Sequence, residues 1–181
     1  MQVDLTDAVD SGLVQLTGAG EYDLIETTTD INAGSATGPI TVTTQVGSAN
    51  EITVTSGSND LTVDAANTGD VVTVEADNLR DDFDDDEIDS GALTGNNDAS
   101  DTYELTAQGS GQVIVNDLQA DLDASTLSGD LSVTLRADGS VEGTIKDVDI
   151  KLGTADALIN TRASTAASNV TLDAASMGSG D

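Results

Sequence analysis

The densest chemical feature of this sequence is the run Asp81-Asp82-Phe83-Asp84-Asp85-Asp86-Glu87-Ile88-Asp89, seven acids in nine residues. Like charges this close repel one another, so the run requires bound cations or full solvation. Asp82, Asp84 and Asp86 have the alternate spacing that wraps carboxylate oxygens around a hard cation, with Asp89 in reach and Asp81 and Asp85 completing the candidate set. The chemistry implied is calcium binding. The run is not an EF-hand, because no Gly follows Asp86 and Leu93 stands where the bidentate Glu belongs. Two readings stand side by side: a calcium loop packed down onto strands by Phe83 and Ile88, or a solvated acidic insertion.

Smaller acidic groups lie elsewhere. Asn96, Asn97, Asp98 and Asp101 could extend the same site from beyond Gly91–Gly95. Asp147 and Asp149 flank Val148 and would share one face of a strand near Lys146 and Lys151, an arrangement that fits a cross-strand salt bridge better than a site. Asp70 and Asp130 each follow a glycine and read as turn residues, with ion contact the lesser alternative. Four of the five basic residues (Arg136, Lys146, Lys151, Arg162) lie in the last third, and the first 79 residues have none. This gradient fits head-to-tail or lateral self-association, or ordinary local pairing.

Composition narrows the function classes. The net charge is -29, with 27 Asp against 7 Glu, and Asp favours acidic turns over helices or strands. Nucleic acid and anionic membrane surfaces are excluded as nonspecific partners, since both require a positive surface. The 181 residues include no Cys, so there is no disulfide framework, and no His, the commonest general base. A carboxylate pair for glycoside hydrolysis has no His, Cys or Trp to support it, and the expectation is a protein that is not an enzyme. No apolar run approaches transmembrane length and no amino-terminal signal is visible, so no membrane insertion is expected.

The elements that must position these acids are short alternating runs. Ile40–Thr43, Ile52–Thr55, Leu61–Asp64 and Val72–Glu75 are followed by Val113–Val115, Leu131–Leu135, Val148–Leu152 and Val170–Leu172. Period two places Val, Ile and Leu on one face and Thr, Ser or charge on the other, which predicts strands. Gly, Asn, Asp and Ser fill the gaps, and only Asp117–Ala120 suggests a short turn of another kind. Outward Thr rows also evoke ice binding, but Thr is simply a good solvent-face strand residue. Asn169-Val170-Thr171 is a lone glycosylation sequon.

A longer repeat overlies the strands. Residues 31–43 (INAGSATGPITVT) align without a gap on 122–134 (LDASTLSGDLSVT), sharing Ala33/Ala124, Gly38/Gly129, Val42/Val133 and Thr43/Thr134. Residues 63–74 fit with one residue removed, and 172–178 begin a fourth copy. The unit is an apolar residue, Asp or Asn, Ala, a small polar linker, Gly, then a Thr/Val strand, at irregular intervals. Three regions follow: an N-terminal β-repeat block over 1–76, an acidic insertion over 77–101, and a C-terminal β-repeat block over 102–181. They form one continuous domain or two, expected to belong to a longer protein. The fold class is all-β. With aromatics at 2%, ladders of small aliphatics suit the thin core of a right-handed parallel β-solenoid (β-roll or β-helix-like); the alternative is one or two antiparallel β-sandwiches.

On the stretches Ile31–Thr43, Val63–Val74, Leu122–Thr134 and Leu172–Asp181, the chain resembles the calcium-dependent surface-layer proteins and large RTX-type adhesins that Gram-negative bacteria secrete by the type I route. The resemblance implies an extracellular, cell-surface β-solenoid that folds or assembles on binding calcium. Its calcium nonapeptide, Gly-Gly-x-Gly-x-Asp, occurs nowhere in full, and Gly178-Ser179-Gly180-Asp181 matches only an opening half. The expected function is a structural module of a surface layer or matrix, with calcium as cofactor and neighbouring copies as partners. The alternative is a spacer or binding module of an adhesin that recognises cell-surface polysaccharide. A third reading is a halophile's acidic surface, where monovalent salt would replace calcium.

Overall fold

A computed structural model describes residues 1–4, 12–79, 104–136, 148–161, 170–175 and 177. Among them the chain forms fifteen strands and no helix. In chain order these are β1 (Gln2–Asp4), β2 (Leu13–Gly18), β3 (Tyr22–Thr27), β4 (Asp30–Ala36), β5 (Ile40–Thr44), β6 (Glu51–Thr55), β7 (Leu61–Ala65), β8 (Val71–Glu75), β9 (Leu105–Gly109), β10 (Gln112–Leu118), β11 (Leu122–Asp123), β12 (Leu131–Leu135), β13 (Val148–Lys151), β14 (Ala157–Asn160) and β15 (Val170–Asp173).

Odd-numbered strands make an eight-stranded sheet and even-numbered strands a seven-stranded one, each in simple ascending order. Every strand pairing among the described residues is parallel, so the chain is a parallel β-solenoid and the antiparallel sandwich is excluded. Each coil gives one strand to each sheet. The register keeps like over like: Ile40 lies beside Leu61, Leu61 beside Leu105 and Leu105 beside Leu122. In the other sheet, Ile52, Val72, Val113 and Leu131 form the matching inner row.

Parallel sheets ordinarily need helices over both faces and read as unbroken apolar runs. Here the two sheets cover each other's inner faces and leave the outer faces to water. Alternation is therefore retained, as β5, β7 and β12 show by burying every second residue. The core is a stack of Val, Ile, Leu and Ala rows, with Tyr22 only partly buried at its margin. β-branched residues pack well on such a pleated surface, and a thin core between sheets needs no aromatic bulk.

The acidic insertion does not interrupt the stack. β7 pairs with β9 and β8 with β10, so the coils before and after it are immediate neighbours. Gln108 Nε2 donates to Asp64 Oδ2 at 3.0 Å although 44 residues separate them, and Asn116 Nδ2 donates to Glu75 Oε1 at 3.0 Å on the opposite sheet. The coils within 1–76 and 102–181 thus meet across one shared strand ladder in each sheet.

The sequence repeat turns out to be a corner rather than a coil. Residues 63–74 and 122–134 carry the chain from the eight-stranded sheet to the seven-stranded one, whereas 31–43 carries it the other way, from β4 to β5. The same local solution serves both corners, which accounts for the irregular intervals between copies. In three of the four copies the repeat's Asp or Asn closes a side-chain turn on the amide two residues on: Gly34 N–H donates to Asn32 Oδ1 at 3.1 Å, Ser125 to Asp123 at 2.8 Å, and Ala175 to Asp173 at 3.0 Å. In two copies the repeat's Gly lies against the backbone of the coil before it. A Cβ on Gly38 would stand 2.4 Å from Gly20 O, and one on Gly129 would stand 1.9 Å from Gly111 O. The turn expected at Asp117–Ala120 is instead a β-bulge: Asp117 and Leu118 remain in β10, the register shifts between Val115 and Leu118, and Asp117 takes a φ of 55°.

Gly129→Ala should therefore lower stability by about 1–3 kcal/mol through backbone overpacking. Gly20→Ala, whose Cβ would meet only the Tyr22 ring at 3.6 Å, should change it far less. Urea unfolding of the two variants measures the difference, and equal midpoints would contradict the stacking.

Candidate functional site

The in-register stack carries acids into line along one corner. The residues immediately before Ile40, Leu61, Leu105, Leu122 and Ile150 are Pro39, Asp60, Glu104, Asp121 and Asp149. Backbone bonds fix the order: Ile40 N–H donates to Asp60 O at 2.9 Å, Leu61 N–H to Glu104 O at 2.7 Å, and Leu105 N–H to Asp121 O at 3.1 Å. Four successive coils thus place a carboxyl side chain on one edge, at about 4.8 Å per step. Within this ladder two of the acids cap the next coil. Glu104 Oε2 accepts from Asp121 N–H at 2.9 Å, and Asp121 Oδ1 accepts from Asp149 N–H at 2.7 Å. Glu104 is only 6% exposed, Asp121 and Asp149 are half-buried, and Asp60 is exposed.

The expected calcium ligands Asp81, Asp82, Asp84, Asp85, Asp86 and Asp89 lie outside the described residues. So do Phe83, Ile88, Asn96, Asn97, Asp98, Asp101, Lys146, Asp147 and Arg162. The described chain stops at Leu79 and resumes at Glu104, a member of the acidic ladder. Among the described residues no group of three or more acids converges to hold a metal ion. Lys151 pairs with Asp123 of the preceding coil, Nζ to Oδ2 at 3.8 Å, with the side chains 40% and 26% exposed. Asp149, next to Lys151 but one in sequence, instead takes its place in the ladder.

Of the two acids that follow a glycine, Asp130 is exposed just before β12, whereas Asp70 is 1% exposed. Its Oδ1 accepts from Asn50 N–H at 2.8 Å and Asn50 Nδ2 at 3.0 Å. Its Oδ2 accepts from Thr44 Oγ1 at 2.5 Å, Asn67 N–H at 2.9 Å and Asn67 Nδ2 at 3.0 Å. Burial pushes the carboxyl's pKa up, but the bonds from Thr44, Asn67 and Asn50 outweigh it and hold the group below the usual 3.8. The two amide nitrogens also reach main-chain oxygens: Asn50 Nδ2 to Gln45 O and Ser48 O at 2.9 Å each, Asn67 Nδ2 to the same two at 2.7 and 3.0 Å. Neutral amide donors thus stand between carboxylate and carbonyls where a cation would otherwise sit. The cluster is a structural knot around its one acid. Sequence spacing held a signal for it, since Asn50 and Asp70 are 20 residues apart and so share a position in adjacent coils.

Compared with protein-family models, curated proteins and solved structures, the chain matches none.

Asp121→Ala removes the acceptor for Asp149 N–H and should cost about 1 kcal/mol, while Asp121→Asn, which retains an acceptor oxygen, should recover much of that. Lys151→Met breaks only a surface ion pair and should cost under about 0.5 kcal/mol. Chemical denaturation of the three variants ranks them, and a Lys151 effect as large as that of Asp121→Ala would contradict the capping role.

Proposed function

We propose that the chain is a non-enzymatic structural module of a bacterial surface layer or extracellular matrix, stabilised by calcium and associating with neighbouring copies. The observation that carries this reading is the acidic corner ladder Asp60–Glu104–Asp121–Asp149, which the acidic segment rejoins at Glu104. A chain of net charge -29 gains stability from any cation that binds only its folded form. Calcium suits this setting because it takes many oxygen ligands in flexible geometry, and Asp81, Asp82, Asp84, Asp85, Asp86 and Asp89 supply oxygen ligands in quantity. The rest of the reading, secretion to the cell surface and contact with further copies, rests on the resemblance of the repeat units.

The outer faces favour a second reading, a spacer or polysaccharide-binding module of an adhesin. Thr41, Thr62 and Thr106 form one polar row on the eight-stranded sheet, and Thr53 and Thr73 another on the seven-stranded sheet. Such rows offer hydroxyl groups at strand spacing to an extended sugar chain.

Thermal unfolding at fixed ionic strength, with millimolar calcium against chelator, tests the calcium reading. A rise of about 5 °C or more is expected, corresponding to roughly 1–2 kcal/mol for a domain of this size. An unchanged midpoint in calcium, with a rise only in high monovalent salt, would replace it with a halophile's acidic surface.

A further inference from the structure

The knot around Asp70 joins two adjacent coils and contains one proton with two places to go. Thr44 Oγ1 accepts from Ala66 N–H at 2.9 Å, so its own proton is left to donate. Two acceptors lie within reach: Asp70 Oδ2 at 2.5 Å and Asp64 O at 3.3 Å. An ionised Asp70 takes that proton and four further bonds from Asn50 and Asn67. A protonated Asp70 becomes a donor facing donors. Its O–H can point at Thr44 only if the Thr44 hydroxyl swings to Asp64 O, and the bonds from Asn67 then lose their anionic acceptor.

We propose that Thr44 and Asp70 form an acid-operated latch that ties the corner at residues 45–50 to the next coil and releases it when Asp70 takes up a proton. The surroundings make this carboxylate the sole charge in the knot. Glu26, from the coil before, faces outward to accept Val46 N–H at 3.2 Å, Asp64 contributes its main-chain oxygen, and Glu51 is exposed at the start of β6. From the coil after, Gly109, Ser110, Gly111 and Gln112 bring no titratable group. No Lys or Arg occurs between Met1 and Leu79 or between Glu104 and Leu135, so no cation among the described neighbours backs the charge.

The direction of the pH effect follows. Because the folded carboxyl lies below its usual value of 3.8, the latch holds at and above that pH and is lost as the pH falls through the lower folded value. Elsewhere protonation relieves repulsion in a chain of net charge -29, so this corner loosens while the coil stack as a whole does not. The latch does not depend on calcium and stands or falls apart from that reading.

The test is amide hydrogen exchange by NMR, with protection factors at Asn50 and Asn67 followed against Val74 while the Asp70 carboxyl carbon is titrated. Protection at the two Asn amides should fall roughly tenfold relative to Val74 as Asp70 protonates, the loss of one charge-assisted bond. Asp70→Asn, of the same shape, should show that loss already at neutral pH. Level protection through the Asp70 titration, or wild-type protection in Asp70→Asn, would overturn the latch. Should Asp70→Asn fail to fold, Thr44→Val decides: losing one donor must move the Asp70 titration and the corner's opening together to higher pH, and an unmoved midpoint sinks the proposal.

Discussion

Parallel backbone ladders set adjacent coils about 4.8 Å apart, and everything else in this molecule is arranged to respect that spacing. Within strands the spacing is easily met, because side chains point into the core or out to water. At corners the backbone of one coil lies directly on that of the next, and a single methyl can obstruct it. Gly129 over Gly111 and Gly38 over Gly20 are two such approaches, with projected Cβ contacts of 1.9 and 2.4 Å to carbonyl oxygens. Gly153 is under the same constraint, its projected Cβ lying 2.0 Å from Leu127 O. The turns formed by Asp123 and Asp173 serve the same purpose by ending a strand through a side-chain acceptor, and Asn32 forms the same turn within β4.

This constraint also decides where charge can go. A chain of net charge -29 cannot hide its acids in an aliphatic core, and the described acids sit on outer faces and corners. There they accept the amides that the corners leave unpaired, as Glu104 does for Asp121 and Asp121 for Asp149. Asp70 is the exception, the one described Asp that is fully buried, and five neutral donors hold it there. Its adjacent-coil counterpart is Asn50, a donor where Asp70 is an acceptor, so the pair is complementary where two identical residues would clash.

Much of the fold was legible because it depends on period-two alternation, and Ile40–Thr43, Leu61–Asp64 and Leu131–Leu135 declare their inner faces directly. Scarce aromatics pointed correctly to the thin core of a solenoid over a sandwich. What alternation could not reveal was which strand lies beside which. The copies at 31–43 and 122–134 read as equivalent although they turn in opposite directions between the sheets, since both corners make the same steric demand. The pairing of Lys151 with Asp123 depends on a coil of uneven length, since Asp149 stands 28 positions after its neighbour Asp121. The knot at Asp70 was hidden because its members come from two coils and its one acid reads locally as an ordinary turn residue. The acidic run Asp81–Asp89 was the most conspicuous feature of the sequence, and the described chain resumes after it at Glu104, a member of the ladder.

The coils on either side of the acidic segment are consecutive rungs of one stack, with Asp64 beside Gln108. The chain contains no Cys, so Asp64→Cys combined with Gln108→Cys introduces a single pair into an empty background. Adjacent strands at about 4.8 Å fall within the Cα separation a disulfide accepts, roughly 4.4–6.8 Å. Mild oxidation followed by thiol counting and peptide mapping should find the two joined intramolecularly in most molecules, with β-sheet circular dichroism unchanged. Free thiols at both positions under the same conditions would contradict the stack.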